Sequence, residues 1–330
     1  MATIQVGRKG TFVASADESI LDAGLRAGFG FPKACRNGNC ERCAGQLLQG
    51  RVGLRNGGIV EAAETRQQPV LYCIAHALSD CLIDDRQITA PGEHALITLA
   101  CQIADITPLN HNVSKVTLRT PAGQNLSWHA GQYLLLGEHQ DAAFSIANAA
   151  IPGQRDIELH IRHDDDNSSA VALMMELQSQ PTIKATLPLG ERIIDTAPQQ
   201  PVWFICGSTG FAPAKAMIER LAQLEFSLPV RLFRGGRRNA DLYPAGWQSD
   251  TLSKLSDFRE VQAVNESPAA DQFHGHIHEA VLALLQDPTQ PLFHVGGSPA
   301  MAWAVFDALV AAGVPAENIH SDVFDYAPRT

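Results

Sequence analysis

Cys35, Cys40 and Cys43 stand in the run CRNGNCERC and Cys73 ends LYC, so that four, two and twenty-nine residues separate successive cysteines. This is the ligand spacing of a plant-type [2Fe–2S] cluster. Two irons bridged by two sulfides need four thiolates. A short loop carrying three of them can wrap the cluster with its amides turned towards sulfur, while a distant strand brings the fourth. Gly38 offers a backbone without Cβ where the loop must curl, and Asn37 and Asn39 add turn character on either side. Four cysteines can also hold zinc tetrahedrally, but zinc sites show paired CxxC steps, and here one such step is joined by a lone distant cysteine. Structural disulfides fit less well, because the start MATIQVGRKG has no signal-peptide character and no oxidising compartment is implied. Cys81, Cys101 and Cys206 lie in apolar, strand-like contexts and read as small core hydrophobes.

A chain of 330 residues that is 45% hydrophobic and 18% charged is globular and long enough for two or three domains, each with its own core. No apolar run approaches the roughly 18 residues of a membrane span, and the expected location is the cytoplasm. The net charge of −10 is carried by residues 93–330, since residues 1–92 set ten cationic against nine acidic side chains. No segment forms the basic face that a nucleic-acid backbone demands. Around the cysteine loop Lys33, Arg36 and Arg42 outnumber Glu41, as a solvated loop face or an electrostatic docking patch would.

Residues 1–88 read as short strands around one helix: TIQV and TFVA as a hairpin, then SILDAGLRAG, capped by Asp17 or Ser19 and ended by Gly28. AGQLLQG, QPVLYC and DCLIDD extend the set, a pattern that suits a β-grasp. TAPGEH at 89–94 reads as a linker. Residues 96–196 are dominated by alternating runs, KVTLRT, QYLLLG, DIELHIRH and IKATLPLG, with one helical stretch SAVALMMELQS, as in an antiparallel barrel. From residue 200 the rhythm changes. VWFICG, VRLFRGG and LFHVGG alternate with PAKAMIERLAQL, HIHEAVLALLQ and AMAWAVFDALVAAG, the signature of a parallel sheet with crossover helices. The expected domains are therefore 1–92, 93–198 and 199–330.

In VWFICGSTGFAPAKAMIERL a hydrophobic strand enters a glycine-bounded turn and then a helix with Pro213 near its start, an arrangement that brings backbone amides to a phosphate-bearing ligand. LFHVGGSPAMAWAVFDAL repeats it, and two such turns at the carboxyl ends of parallel strands form a ligand crevice. Glycines that merely make tight connections would look the same. His274, His276 and His278 form HGHIH, where alternate residues leading into a helix read as solvent-facing rather than as metal ligands.

On CRNGNCERC…C, HAGQYLLL, FSIAN, CGSTGFAP, FRGGRRNADLY, GGSPAM and SDVF, the whole chain resembles the ferredoxin–NADP reductase-like oxidoreductases fused to an N-terminal plant-type ferredoxin. That family includes reductase components of aromatic-ring oxygenases and CDP-6-deoxy-3,4-glucoseen reductases. The resemblance implies a β-grasp domain, an FAD-binding β-barrel and an NAD(P)-binding α/β domain. It implies that Phe144 stacks on the flavin and Ser145 bonds near its N5, the two positions closest to the chemistry. The family arginine of this R-x-Y/F-S motif is replaced by Ala142. It further implies that the backbone of His160, Ile161 and Arg162 follows the flavin and that Ser168 or Ser169 meets phosphate at a helix start. Gly207, Ser208, Thr209 and Gly210 correspond to the pyrophosphate turn, Gly297, Ser298 and Pro299 to the nicotinamide end, and Phe324 to a cofactor contact in SDVF. Gly296 stands where many relatives have cysteine. Arg237, with Arg234 and Arg238, follows the second strand where the adenosine ribose is expected, and reads either as a group that holds an NADP 2′-phosphate or as a solvated basic turn.

The function so implied follows from electron number. NAD(P)H gives up two electrons as a hydride, an iron–sulfur cluster accepts one at a time, and a flavin converts between them. Electrons would run from NAD(P)H through FAD and [2Fe–2S] to a protein acceptor, an oxygenase or another iron–sulfur enzyme. The alternatives are a flavin or ferric reductase acting on small acceptors, and a non-catalytic redox relay or sensor, which Ala142 and Gly296 would favour. The sequence sets neither the coenzyme's phosphate nor an oligomeric state.

Overall fold

The computed structural model describes residues 1–64, 69–84, 88–124, 126–137, 142–164, 168–247 and 250–329. The chain divides into two compact units, Met1–Ala95 and Leu96–Thr330.

In the first unit, β1 (Ala2–Val6) and β2 (Thr11–Ala14) alternate buried and exposed residues and pair as a hairpin. They are followed by α1 (Ile20–Arg26), whose N-cap Ser19 accepts from the Asp22 amide and satisfies a free helix-end donor. Seven short strands follow, β3 (Ala44–Gly45), β4 (Leu47–Gln49), β5 (Arg51–Leu54), β6 (Ile59–Glu61), β7 (Val70–Leu71), β8 (Ala75–Ala77) and β9 (Cys81–Ile83). The main sheet runs β2-β1-β9-β4, with β1 and β9 parallel, and α1 packs on it through Ile20, Leu21 and Ala23. This is a β-grasp. Cys81 lies in this core as a small hydrophobe.

The second unit begins with β10 (Ile97–Pro108), β11 (Val113–Arg119), β12 (Tyr133–Leu136), β13 (Ala142–Ser145), β14 (Asp156–Arg162), α2 (Ser168–Ser179) and β15 (Thr182–Leu189). All pairings are antiparallel, in the order β13-β12-β15-β10-β11-β14, and an Ile146–Leu159 bridge joins the two ends into a nearly closed barrel. Cys101, Leu118, Leu134, Leu159 and Ile161 fill its interior, and α2 closes it with Leu173, Met174 and Leu177. The chain then forms β16 (Val202–Gly207), α3 (Phe211–Gln223), β17 (Val230–Gly236), β18 (Phe258–Val264), β19 (Phe273–His274), α4 (Ile277–Leu284), β20 (Leu292–Gly296), α5 (Pro299–Ala311), β21 (Ile319–His320) and α6 (Val323–Tyr326). Its strands are all parallel, in the order β19-β18-β17-β16-β20-β21. The central β16 is buried throughout, as a strand covered by helices on both faces must be. Val113, Ala130 and Ile194 from the barrel side share a core with β16 and α3, so barrel and parallel sheet are packed as one body. Among the described residues no helix is long and apolar enough to cross a membrane.

Candidate redox centre and nucleotide site

The cysteine loop curls through three positive-φ residues, Arg36 (58°), Gly38 (88°) and Glu41 (55°). A Cβ at Gly38 would lie 3.2 Å from Ile74, so the loop is also drawn tightly against its neighbour there. The four thiols fall into two pairs. Cys35 and Cys40 are exposed and in contact, with the Cys35 amide 3.4 Å from Cys40 Sγ, while Cys43 and Cys73 are buried free thiols in hydrogen-bond contact with each other. Amide donation from Asn37, then contact with Cys40, draws the Cys35 thiol down to about 6, whereas burial pushes Cys43 up to about 11. Among the described residues no three His, Cys, Asp or Glu side chains converge to hold a single metal ion. Two thiolate pairs suit a two-iron cluster, which takes two terminal ligands at each iron, better than one tetrahedral zinc.

In the barrel, the seam between β13 and β14 is closed by the Ile146–Leu159 bridge and by the Ala147 amide donating to the Glu158 carbonyl at 2.7 Å. Continuing that antiparallel register would set Ser145 beside His160 and Phe144 beside Ile161, yet among the described residues no ladder forms there. The backbone groups on this edge of β14 are thereby left for a ligand, since polar main-chain groups need partners. Phe144 and Ser145 are half-buried at the opening. The Ile161 side chain fills the barrel core, so only its backbone can meet a ligand. Arg162 is ion-paired with Asp164. Ser168 and Ser169 are exposed in the first turn of α2.

Ala142 packs against the barrel core and carries no donor. A guanidinium on a diphosphate makes charge-assisted hydrogen bonds worth about 1.5–3 kcal/mol. With Arg162 already engaged by Asp164, the chain is expected to hold FAD weakly, and Ala142→Arg to bind it about ten- to a hundredfold more tightly. Calorimetric titration of the flavin-free protein measures both. Nanomolar affinity in the parent, unimproved by arginine, would show that the diphosphate is already satisfied.

The carboxyl ends of β16 and β20 lie side by side, with Cys206 opposite Gly296. β16 runs into a 3₁₀ turn, Ser208–Gly210, that leads into α3, and Ser208 adopts φ 49°. A Cβ on Gly210 would sit 2.1 Å from the Gly296 carbonyl carbon, and one on Gly207 2.5 Å from Met301 Sδ. Glycine at 210 is thus required by the approach of the second turn, a reason the sequence pattern does not reveal. Ser298 caps α5, its hydroxyl accepting from the Met301 amide at 3.3 Å, and Pro299 occupies the first helical turn. Phe324 packs 4.5 Å from the Trp303 ring and 5.3 Å from Phe306, within an aromatic cluster under α5. A cavity beside the two turns is lined by Arg192, Cys206, Gly210, His294, Gly296 and Asp322. Burial holds its His294 neutral, pushing the imidazole down to about 3.

Arg237 and Arg238 follow β17, and both face Glu266, at 2.6 and 3.8 Å. Arg234 is instead buried, 3.5 Å from Glu260 and 4.3 Å over the Phe211 ring. In HGHIH, His276 forms a capping box with Glu279 at the start of α4 and stacks on His278 at 5.5 Å, a helix-end arrangement.

Sequence reasoning missed a buried polar chain between barrel and parallel sheet. His160 is buried, its Nε2 2.9 Å from Glu158 and its Nδ1 3.0 Å from the Tyr243 hydroxyl. Burial keeps the ring below its usual pKa, and in the neutral ring Nε2–H donates to the carboxylate while Nδ1 accepts from tyrosine. The Tyr243 oxygen also lies 3.5 Å from the Ser208 carbonyl oxygen. One side chain therefore touches both the open barrel seam and the glycine turn.

Residues 4–78 match the 2Fe-2S iron-sulfur cluster binding domain family, and residues 204–307 the oxidoreductase NAD-binding domain family. Over 322 residues, 96% of this chain and 95% of the other, the sequence is 30% identical to a terephthalate 1,2-dioxygenase reductase component of Comamonas sp.. The chain belongs to the ferredoxin–NADP reductase-like family with an N-terminal plant-type ferredoxin domain. It is 25% identical, over 95% of both chains, to a CDP-6-deoxy-L-threo-D-glycero-4-hexulose-3-dehydrase reductase of Yersinia pestis. The crystal structure of the Amycolatopsis cytochrome P450 reductase GcoB superposes with a TM-score of 0.65 at 24% identity, covering 97% of this chain and 98% of that one. The ferredoxin reductase in carbazole 1,9a-dioxygenase does so with a TM-score of 0.61, also at 24% identity and over 97% of each chain. At these identities the structural likeness establishes the fold. The protein is an NAD(P)H-dependent iron–sulfur flavoprotein reductase using [2Fe–2S], FAD and NAD(P)H.

Proposed function

We propose that this reductase draws electrons from NADH and delivers them one at a time to a protein acceptor, the oxygenase component of an aromatic-ring oxygenase or another iron–sulfur enzyme. The observation that carries the proposal is the single side chain, Tyr243, spanning the open seam and the nucleotide turn, because hydride transfer needs its two partners held in contact. FAD supplies the change from two-electron to one-electron transfer. Phe144 and Ser145, with the backbone of His160–Arg162 and the hydroxyls of Ser168 and Ser169, hold it in the seam. Gly207–Gly210 and Gly297–Pro299 receive the dinucleotide, and Cys35, Cys40, Cys43 and Cys73 hold the cluster. The corresponding domain limits are 1–92, 93–198 and 199–330.

Anaerobic addition of NADH to the FAD-loaded protein should bleach flavin and cluster together. Reconstitution with candidate oxygenases should then restore turnover. Rapid reduction of free flavin or ferric chelates with no gain from any protein acceptor would point to the small-acceptor reading, and no bleaching at all to a relay.

Glu266 motivates the choice of NADH. In dinucleotide folds an acidic residue after the second strand bonds the ribose 2′-hydroxyl, whereas an arginine nearby accommodates a 2′-phosphate. Glu266 comes from beyond the next strand, β18, but lies against the two arginines that follow β17. Here the carboxylate engages both arginines and would oppose a phosphate placed between them. Glu266→Gln frees Arg237 and Arg238 and is expected to shift the kcat/KM ratio towards NADPH about tenfold or more, from one charge-assisted contact. Steady-state assays with ferricyanide and both coenzymes measure the ratio, and an unchanged ratio would place the 2′ position elsewhere.

A further inference from the structure

We propose that Lys215 is a positioning residue for hydride transfer, a buried pin that holds the nucleotide-turn helix against the flavin strand. The proposal rests on the electron route given above. α3 starts at the glycine turn, and Lys215 is its fifth residue, only 2% exposed. Its ammonium donates to the Ala147 carbonyl at 3.3 Å and to Glu219 Oε1 at 2.6 Å, and lies 3.3 Å from Glu158 Oε1. All three donors of the ammonium therefore have acceptors. Ala147 comes two residues after Ser145, in the segment that closes the seam. Glu219, also on α3, accepts the Ala149 amide at 2.9 Å through its other oxygen. Glu158 belongs to β14 and bonds His160, so the pin continues into the chain that reaches Tyr243.

Stability alone does not account for such a cluster. On a helix surface a lysine and glutamate four residues apart add little, and a buried ion pair is commonly matched by apolar packing of the same volume. The lysine ties two elements that carry the two reaction partners: β13 with its continuation to Ala149, and the helix whose start forms the dinucleotide turn. An apolar residue would fill the volume without fixing their register. Small displacements at this distance matter, since hydride transfer demands close, aligned partners.

Lys215→Met keeps the volume and removes the donors. In the flavin-free full-length chain, hydrogen exchange at the Ala149 amide should quicken at least tenfold. In the FAD-loaded chain, anaerobic stopped-flow should show the limiting rate of flavin reduction by NADH falling at least tenfold with the NADH dissociation constant within threefold of the parent. Oxidation of the dithionite-reduced variant by ferricyanide should stay within twofold. A limiting rate within twofold of the parent overturns the proposal, and so does an equal slowing of every step, which would mark a purely structural role. If Lys215→Met does not fold, Glu219→Gln is read in the same way: a fall of threefold or more confined to the limiting rate supports the pin, and an unchanged rate overturns it. The parent's own reduction by NADH, recorded in the same apparatus, tests the underlying electron route separately.

Discussion

Gly210→Ala should abolish measurable NAD(P)H binding while leaving FAD and iron content intact. The added methyl would lie 2.1 Å from the Gly296 carbonyl carbon, 2.3 Å from its oxygen and 2.4 Å from the Gly297 nitrogen. These are backbone atoms on a strand paired with β16, so no rotamer can relieve the contact. The two turns must move apart, and overpacking of this kind costs about 1–3 kcal/mol or more before any ligand is considered. A loss of about 2.8 kcal/mol in binding is a hundredfold, which we expect as a lower bound for the alanine, with Gly210→Val worse. Gly207→Ala supplies the contrast. Its methyl would meet Met301 Sδ at 2.5 Å, the far end of a flexible side chain that can swing away, and its effect should stay below tenfold. Calorimetric titration with NADH ranks the variants. If Gly210→Ala binds within threefold of the parent, the dinucleotide does not use this turn.

Cys40→Ser should remove the cluster and little else. Cys40 forms the exposed thiol pair with Cys35, and losing one of the two terminal ligands at an iron leaves that iron open to solvent. Iron should fall from two per chain towards zero, and the reduced-state paramagnetic resonance signal should vanish or change form. The second unit has its own cores and should keep its fold, its FAD binding and NADH-dependent ferricyanide reduction within about twofold. Transfer to a one-electron protein acceptor should drop by at least about two orders of magnitude, because the flavin-to-acceptor route then lacks its single-electron carrier. Two irons per chain in the variant, with an unaltered resonance spectrum, would mean that Cys40 is not a ligand.

Local patterns made a good part of this protein legible. The cysteine spacing, though it reaches to Cys73, is a fixed ligand pattern. The strand–turn–helix runs of β16 with α3 and β20 with α5 and the change from alternating to continuous apolar runs depend on neighbours close in the chain. Their periodicity is written directly into the chain. Co-linearity of short motifs supplied the cofactors. The strand β18 is hard to read from sequence, because FREVQAV mixes exposed and half-buried residues without a clean two-residue alternation, whereas β10 alternates over residues 97–104 and loses the pattern only at Asp105, where its pairing with β11 shifts register.

What the fold alone decided lies between elements. Lys215 and Glu219 are an i,i+4 pair with nothing local to mark them, and the packing of α3 on the barrel buries the lysine against Ala147, sixty-eight residues away. Arg234 stands beside Arg237 and Arg238 in a basic run, yet the pleat turns it inward to Glu260 and the Phe211 ring, while its neighbours reach Glu266 across a loop. Gly210 looked like a site for ligand approach, and the parallel pairing of β16 with β20 showed that a second backbone already fills that space. The sequence by itself determined which cofactors the chain carries, because the cysteine spacing and the co-linear motifs are written in the order of residues. The tertiary structure decided how flavin seam and nucleotide turn are held together, because those contacts join residues whose separation along the chain carries no periodic signal.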